Sequence, residues 1–264
     1  MSSHASSPPS TRPWSPARPL LIAHRGDSRD CPENTAAAFD AAVRAGVDGI
    51  ELDLRPTSDG QVVVCHDASL ARFHGGFRPL ARRSLRELQQ VDVGSWFSPH
   101  FHDQRLVSLD ALLEGYRHQA LLLLELKAAA GLFARARNRR LCAETVRAIH
   151  RHRAGPQVLI LCFSSALLAH IAQLDPHLRL VRNCLHPPHR LDHWLARQPP
   201  LHAIDLDHRQ LSPRLVAQCH ARDVRVFTWS CNTLRDLTRV RGLGVDGILS
   251  DRPGWLCSTV RAHG

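Results

Sequence analysis

From Leu20 onward the chain alternates short apolar runs with segments of helical pattern, and this alternation limits its fold more than any other feature. The apolar runs fall at about 20–23, 50–54, 62–64, 121–126, 157–163, 178–182, 203–207, 224–229 and 246–250. Between them, stretches near 35–45, 109–118, 138–153, 165–174, 189–197, 213–222 and 232–242 read as helices. The run Leu121-Leu-Leu-Leu-Glu-Leu126 is too continuously apolar for a strand with one wet face, and fits a strand of a parallel sheet buried on both sides. Strand–helix units joined by right-handed crossovers build either an open doubly wound sheet or a closed barrel. Val62 to Val64 follows a tight turn at Ser58-Asp59-Gly60 and reads as the return arm of a hairpin on the preceding strand. Eight strands then remain, the number that closes an α/β fold of the (β/α)8 TIM-barrel type.

The alternation breaks once, between Ala68 and Val107, where Gly75-Gly76, a short helical run and Gly94-Ser95-Trp96-Phe97 make an insertion after the second-strand hairpin. Residues 1–18 are Ser/Pro-rich and predict a disordered segment ahead of a single domain over 19–257, with 258–264 as a tail. At 264 residues the chain suits one barrel, since such domains run to about 250 residues. No Gly-x-Gly-x-x-Gly follows the first strand, which removes support for a dinucleotide fold.

Composition narrows the partners. The formal charge of +10 suggests an anionic ligand, and Lys127 is the only lysine among 34 basic residues. The arginines are scattered through helix-like segments without aromatic interleaving, so nucleic-acid binding is not expected. None of the eight cysteines forms a Cys-x-x-Cys pair, and Cys65 and Cys162 sit in apolar runs as small hydrophobes. With no signal-like apolar stretch near the N-terminus and no long apolar window, a cytoplasmic protein without membrane insertion is the expectation.

The polar residues gather where the apolar runs end. Glu51 and Asp53 alternate with Ile50, Leu52 and Leu54, so both carboxylates share a strand face. They repel each other unless a cation, Arg or Lys lies between them. Glu125 and Lys127 share a face in the same way, and His24, Arg25 and His66 stand at the ends of other strands. In a closed barrel these ends form one rim. Glu51, Asp53 and Glu125 offer oxygen-only ligation, which suits a hard divalent cation, Mg²⁺ or Ca²⁺. Arg25 and Lys127 supply positive charge for an anionic substrate. His24 and His66, one neutral and one protonated, would supply the base and acid that phosphodiester cleavage needs near neutral pH. Each part has a structural alternative: Glu125 and Lys127 as an ion pair, Asp205 and Asp207 as a rim pair, each His as a solvated strand end. The assembled set, rather than any member, points to chemistry.

The ordered series His24-Arg25-Gly26, Pro32-Glu33-Asn34-Thr35, Glu51-Leu-Asp53, Thr57-Ser-Asp59-Gly60, His66-Asp67, Gly94-Ser-Trp96-Phe97, Glu125-Leu-Lys127 and Gly244-Val-Asp246-Gly247, ending in Asp251-Arg-Pro253, resembles the glycerophosphodiester phosphodiesterases of the phospholipase-C-like barrel group. The resemblance covers roughly residues 20–255. It implies metal-dependent hydrolysis of a glycerophosphodiester to glycerol 3-phosphate and an alcohol, with Glu51, Asp53 and Glu125 as metal ligands and His24 and His66 as the acid/base pair. It further implies phosphate contacts from Arg25 and Lys127, while Trp229 is either pocket wall or core. The chain departs from the family pattern at Phe73-His74, Cys162, Cys231 and Ser250, which bears on substrate preference more than on activity. Lysophospholipase-D-like or phosphoinositide-cleaving activity on the same barrel is the alternative among enzymes. A non-catalytic anion- or nucleic-acid-binding protein is the alternative from another class.

Overall fold

The computed structural model describes residues 18–262 apart from His74, Ala130 and Leu132. The N-terminal stretch expected to be disordered, up to residue 17, and His74 therefore lie outside the described residues.

Nine strands form one sheet: β1 (Leu20–His24), β2 (Gly49–Pro56), β3 (Val62–Val64), β4 (Leu121–Leu126), β5 (Val158–Cys162), β6 (Arg179–Cys184), β7 (Ala203–Asp207), β8 (Arg225–Trp229) and β9 (Gly247–Ser250). Their order is β1-β9-β8-β7-β6-β5-β4-β2-β3, and β1 also pairs with β2. That extra pairing, Ile22 with Gly49 through His24 with Glu51, closes the sheet. β3 stands outside the closed ring because it pairs only with β2, antiparallel, Leu54 opposite Val64. Eight parallel strands thus make the barrel, as the hairpin reading expected.

The helices are α1 (Ala36–Ala45), α2 (Leu85–Leu88), α3 (Leu109–Tyr116), α4 (Ala134–Arg151), α5 (Ser165–Leu174), α6 (Leu191–Leu195), α7 (Pro213–His220), α8 (Leu234–Gly242) and α9 (Pro253–Ala262). Among the described residues one helix follows each barrel strand, and α2 belongs to the insertion. Local chemistry sets several starts. Ser108, Ser164, Ser212 and Thr233 cap α3, α5, α7 and α8 through side-chain oxygens that accept backbone N–H bonds. α6 is shorter than the pattern over 189–197 suggested, because Arg190 before it adopts φ 48° and the helix begins only at Leu191. α9 runs to Ala262 with Val260 buried, so residues 258–262 complete the last helix and are not the tail expected from the sequence.

The strand alternation divides the core in two. Ile50, Leu52, Leu54, Leu122, Leu124 and Leu126 point outward into the layer between sheet and helices. Ile22, Leu123, Leu159, Val181, Ala203, Phe227 and Leu249 fill the barrel's inside. Phe227 owes its place to Gly247, where a Cβ would come within 2.7 Å of the ring. Losing that ring would cost about 3–5 kcal/mol. The insertion has its own small core of Leu70, Phe73, Leu80, Leu88, Val93 and Leu106 against Val63 and Cys65 of the hairpin. No described helix is long and apolar enough to cross a membrane.

Candidate active site

Above the apolar plug the inward positions turn polar. Glu51 and Asp53 of β2 are 2% and 0% exposed, and Glu125 of β4 is 7% exposed. Asp53 and Glu125 are paired in register, so three carboxylates occupy two neighbouring strands. One oxygen from each lies within 4.8 Å of the others. This buried, oxygen-only set fits a hard divalent cation.

Two basic side chains from the same rim hold these charges. Lys127 Nζ lies 2.6 Å from Glu125 Oε1 and 2.8 Å from Asp53 Oδ1. Arg25 Nε lies 3.4 Å from Asp53 Oδ2 and its Nη1 donates to Glu33 Oε1 at 3.2 Å. The consequences differ along β2. Burial works to raise Asp53, but Lys127 and Arg25 overcome it and hold the carboxyl at about 2. Glu51, farther from the lysine, is pushed well above the ordinary range by burial and then by Asp53 and Glu125.

The turn after β1 delivers Arg25. Arg25 adopts φ 60° and Gly26 φ 78°, and a Cβ at Gly26 would meet Ala38 at 2.7 Å. The turn can therefore lie flat on α1 only with glycine there. Arg25 N–H donates to Glu51 Oε2 at 3.2 Å. Asn34, also at φ 60°, donates its Nδ2 to Asp53 Oδ2 at 2.8 Å. Thr35, not Asn34, caps α1, which leaves the asparagine amide for the carboxylate.

Each imidazole is tied at Nδ1. His24 Nδ1 is 2.6 Å from Asp251 Oδ1, and its Nε2 lies 3.9 Å from Glu51 Oε2. Asn232 Nδ2 donates to the other Asp251 oxygen at 2.6 Å. Burial works to raise Asp251, yet the bonds from His24 and Asn232 keep it below its ordinary value. His66 Nδ1 is 2.9 Å from Asp67 Oδ1, and Arg72 Nε donates to Asp67 Oδ2 at 2.9 Å. Burial and then the Arg25 charge lower His66, favouring neutral imidazole.

His24, Arg25, Glu51, His66, Glu125 and Lys127 all line one cavity of about 270 Å³ at the C-terminal mouth of the barrel. Trp229 lies on its wall and also packs against the inner core, so it has both of the places left open for it, and Phe163 lines the cavity as well. A larger groove of about 500 Å³ lies between α4 and α5, lined by none of these residues. Carboxylates and imidazoles, not volume, locate the chemistry. Asp205 and Asp207 do not behave as the rim pair expected. Asp207 is ion-paired with Arg209 at the rim. Asp205, two positions deeper on β7, is 1% exposed inside the barrel and lines the cavity. Burial and then Glu125 push its carboxyl well above the ordinary range.

A profile of the glycerophosphoryl diester phosphodiesterase family matches residues 24–255. The chain belongs to that family. A glycerophosphodiester phosphodiesterase from Caldanaerobacter subterraneus subsp. tengcongensis is 31% identical over 247 residues, covering 93% of this chain and 99% of the relative. One from Bacillus subtilis is 26% identical over 251 residues, covering 90% and 85%. A phosphodiesterase from Oleispira antarctica, solved in complex with the product sn-glycerol-3-phosphate, superposes with TM-score 0.84 at 25% identity, covering 92% of this chain and 97% of that one. As a member of the glycerophosphoryl diester phosphodiesterase family the chain is a phosphoric diester hydrolase on a (β/α)8 barrel.

Sequence reasoning missed several supports of the site. Asp251 stood in a quoted motif without a role, and Glu33 and Asn34 likewise. Arg72 bridges Asp67 and Glu33, with its guanidinium 4.8 Å from the Trp96 ring and 5.2 Å from the Phe73 ring. Asn183, paired with Asp205, carried no signal at all in a strand of mixed character.

Proposed function

We propose that the protein hydrolyses glycerophosphodiesters to sn-glycerol 3-phosphate and an alcohol, using a divalent cation, Mg²⁺ or Ca²⁺, held by Glu51, Asp53 and Glu125. The observation that carries the reading is the convergence of three buried carboxylates, of which Glu51 and Glu125 line one cavity together with two Nδ1-anchored imidazoles and two basic side chains. When bound, the cation supplies Lewis-acid polarisation of a phosphoryl oxygen and offsets the carboxylate charge. Arg25 and Lys127 draw the phosphodiester anion into the cavity and orient it. Trp229 packs against the substrate from the wall.

His66, favoured as neutral imidazole, removes the proton from the attacking oxygen at Nε2. His24 delivers a proton from Nε2 to the departing alcohol oxygen as its P–O bond breaks. Asp67 and Asp251 hold the two rings so that only Nε2 of each exchanges protons. The attacking oxygen is either water or the substrate's own 2-hydroxyl. In the second case a cyclic phosphate forms first, and water opens it with the two imidazoles exchanging roles.

Purified protein is expected to release glycerol 3-phosphate from sn-glycero-3-phosphocholine, to stop with chelator, and to restart with Mg²⁺ or Ca²⁺. Turnover that persists in chelator removes the cation from the reading. Full activity in His24→Ala or His66→Ala removes that imidazole from it.

A further inference from the structure

The cavity floor holds two polar side chains that the proton transfers and phosphate contacts leave unused. Asn183 of β6 and Asp205 of β7 are paired in register, 2% and 1% exposed, and both line the cavity. Asn183 Oδ1 and Asp205 Oδ1 are each shielded from solvent with no hydrogen-bond partner. Neither is among the three carboxylates that converge within 4.8 Å.

Such a pair is costly where it stands. Barrel interiors fill with branched apolar side chains, and here Phe227 on β8 is the register neighbour of Asp205, while Val181 and Ala203, two positions below the pair on β6 and β7, belong to the inner core. A buried polar oxygen without a partner destabilises a fold, and native structures keep few of them. Apolar side chains on both strands would pack the floor better. The pair therefore makes sense as half of a contact whose other half arrives with a ligand.

The chemistry of that ligand group is restricted. A phosphate oxygen would meet an acid and an amide oxygen here, whereas Arg25 and Lys127 serve it on the other side of the mouth. A hydroxyl suits both residues, because its O–H donates to an amide or carboxylate oxygen, and both unpartnered atoms are oxygens. The depth says which part of the substrate reaches it. Phe163 lines the cavity just past the end of β5 and is 37% exposed, so an alcohol of variable size has room on that solvent side, and the small glyceryl end would lie against the buried pair.

We propose that Asp205 and Asn183 form a hydroxyl-binding subsite that holds the terminal, non-reacting hydroxyl of the substrate's glyceryl group. This rests on the glycerophosphodiester reading above. The subsite makes the enzyme select a glyceryl ester over an ester lacking that hydroxyl, since the analogue would bury the pair unpaired.

The test compares sn-glycero-3-phosphocholine with 2-hydroxypropyl phosphocholine, which keeps the 2-hydroxyl and lacks the terminal one. The unmodified protein is expected to prefer the first by about 10²-fold or more in kcat/KM. In Asp205→Val and in Asn183→Ala the ratio is expected to fall toward one. Equal kcat/KM for the two esters in the unmodified protein overturns the proposal, whatever the variants do. Loss on both esters with the ratio preserved assigns the pair a structural role and also overturns it. Should Asp205→Val not fold, Asn183→Ala and the unmodified protein decide the matter. Hydrolysis of neither ester by the unmodified protein defeats the glycerophosphodiester reading itself, whereas equal hydrolysis of both defeats only the subsite.

Discussion

His24 Nδ1 and Asp251 Oδ1 lie 2.6 Å apart although the two residues are 227 positions apart in the chain. The contact exists because β1 and β9 are neighbours, Ala23 opposite Ser250, so the next residue on each, His24 at the end of β1 and Asp251 just past β9, meets the other at the rim. Asp251 fixes the imidazole's tautomer and leaves Nε2 toward the cavity. In Asp251→Asn an amide N–H would face Nδ1 and favour the opposite tautomer. kcat on sn-glycero-3-phosphocholine is expected to fall about 10²–10⁴-fold with the circular dichroism spectrum unchanged. Asn232→Ala removes the bonds to Asp251 Oδ2, Ser250 Oγ and the Asp251 N–H but leaves the bond between Asp251 and His24, and should lose less. A fully active Asp251→Asn would show that His24 needs no such anchor.

The three carboxylates predict a metal effect that can be read without substrate. A ligand that binds the folded state alone stabilises it by about 2.7 kcal/mol at a concentration 100 times its Kd. Saturating Mg²⁺ or Ca²⁺ should raise the melting temperature of the parent protein by several degrees. Glu51→Gln keeps the shape of the side chain but removes one ionisable carboxyl ligand from the set. Its melting temperature should respond much less to the same titration. Equal responses in parent and variant would place the cation elsewhere.

Arg72 reaches the chemistry only through other residues. It grips Asp67 and Glu33 at once, and Asp67 in turn orients His66. A lysine keeps the charge but not the fork that serves two carboxylates. A misplacement of about 1 Å in a reacting group costs on the order of 10²-fold in rate. Both Arg72→Ala and Arg72→Lys should therefore lower kcat, by about 10–10²-fold, with a smaller change in KM. A change confined to KM would mean that Arg72 touches substrate instead of positioning His66.

Stability in acid should depend on His202. Burial, then the charges of Arg225 and Arg179, push this imidazole down to about 3. It stays neutral in the fold while the unfolded chain takes up a proton below about pH 6.5. Acid therefore favours unfolding, and the contribution present above pH 6.5 is lost as pH falls toward 3. Between pH 6 and pH 4 the parent should lose about 2 kcal/mol more than His202→Leu, measured by urea denaturation at each pH. Parallel pH profiles for the two proteins would rule this out.

How far the sequence alone reached can be judged residue by residue. Ile50, Leu52 and Leu54 against Glu51 and Asp53 separate two faces by alternation, and the structure keeps that division. Eight strands plus a hairpin arm were countable because apolar runs and turn residues are local signals. His24, Arg25, Glu51, His66, Glu125, Lys127 and Trp229 could be nominated because each stands at or near a strand's end, and all seven line one cavity. Asp205 was misplaced because parity tells which face a side chain takes but not its depth below the rim.

What only the tertiary structure decided is who holds whom. Asn34 on Asp53, Asp251 on His24 and Arg72 on Asp67 depend on distances that closure of the barrel and packing of the insertion set. Backbone periodicity is a property of neighbours along the chain, so the sequence determined the strands, their faces and the inventory of charged groups. Contacts across the ring arise only when β1 meets both β2 and β9. The electrostatic environment follows from that closure, because burial and the position of one lysine set Asp53 and Glu51 moving in opposite directions on the same strand.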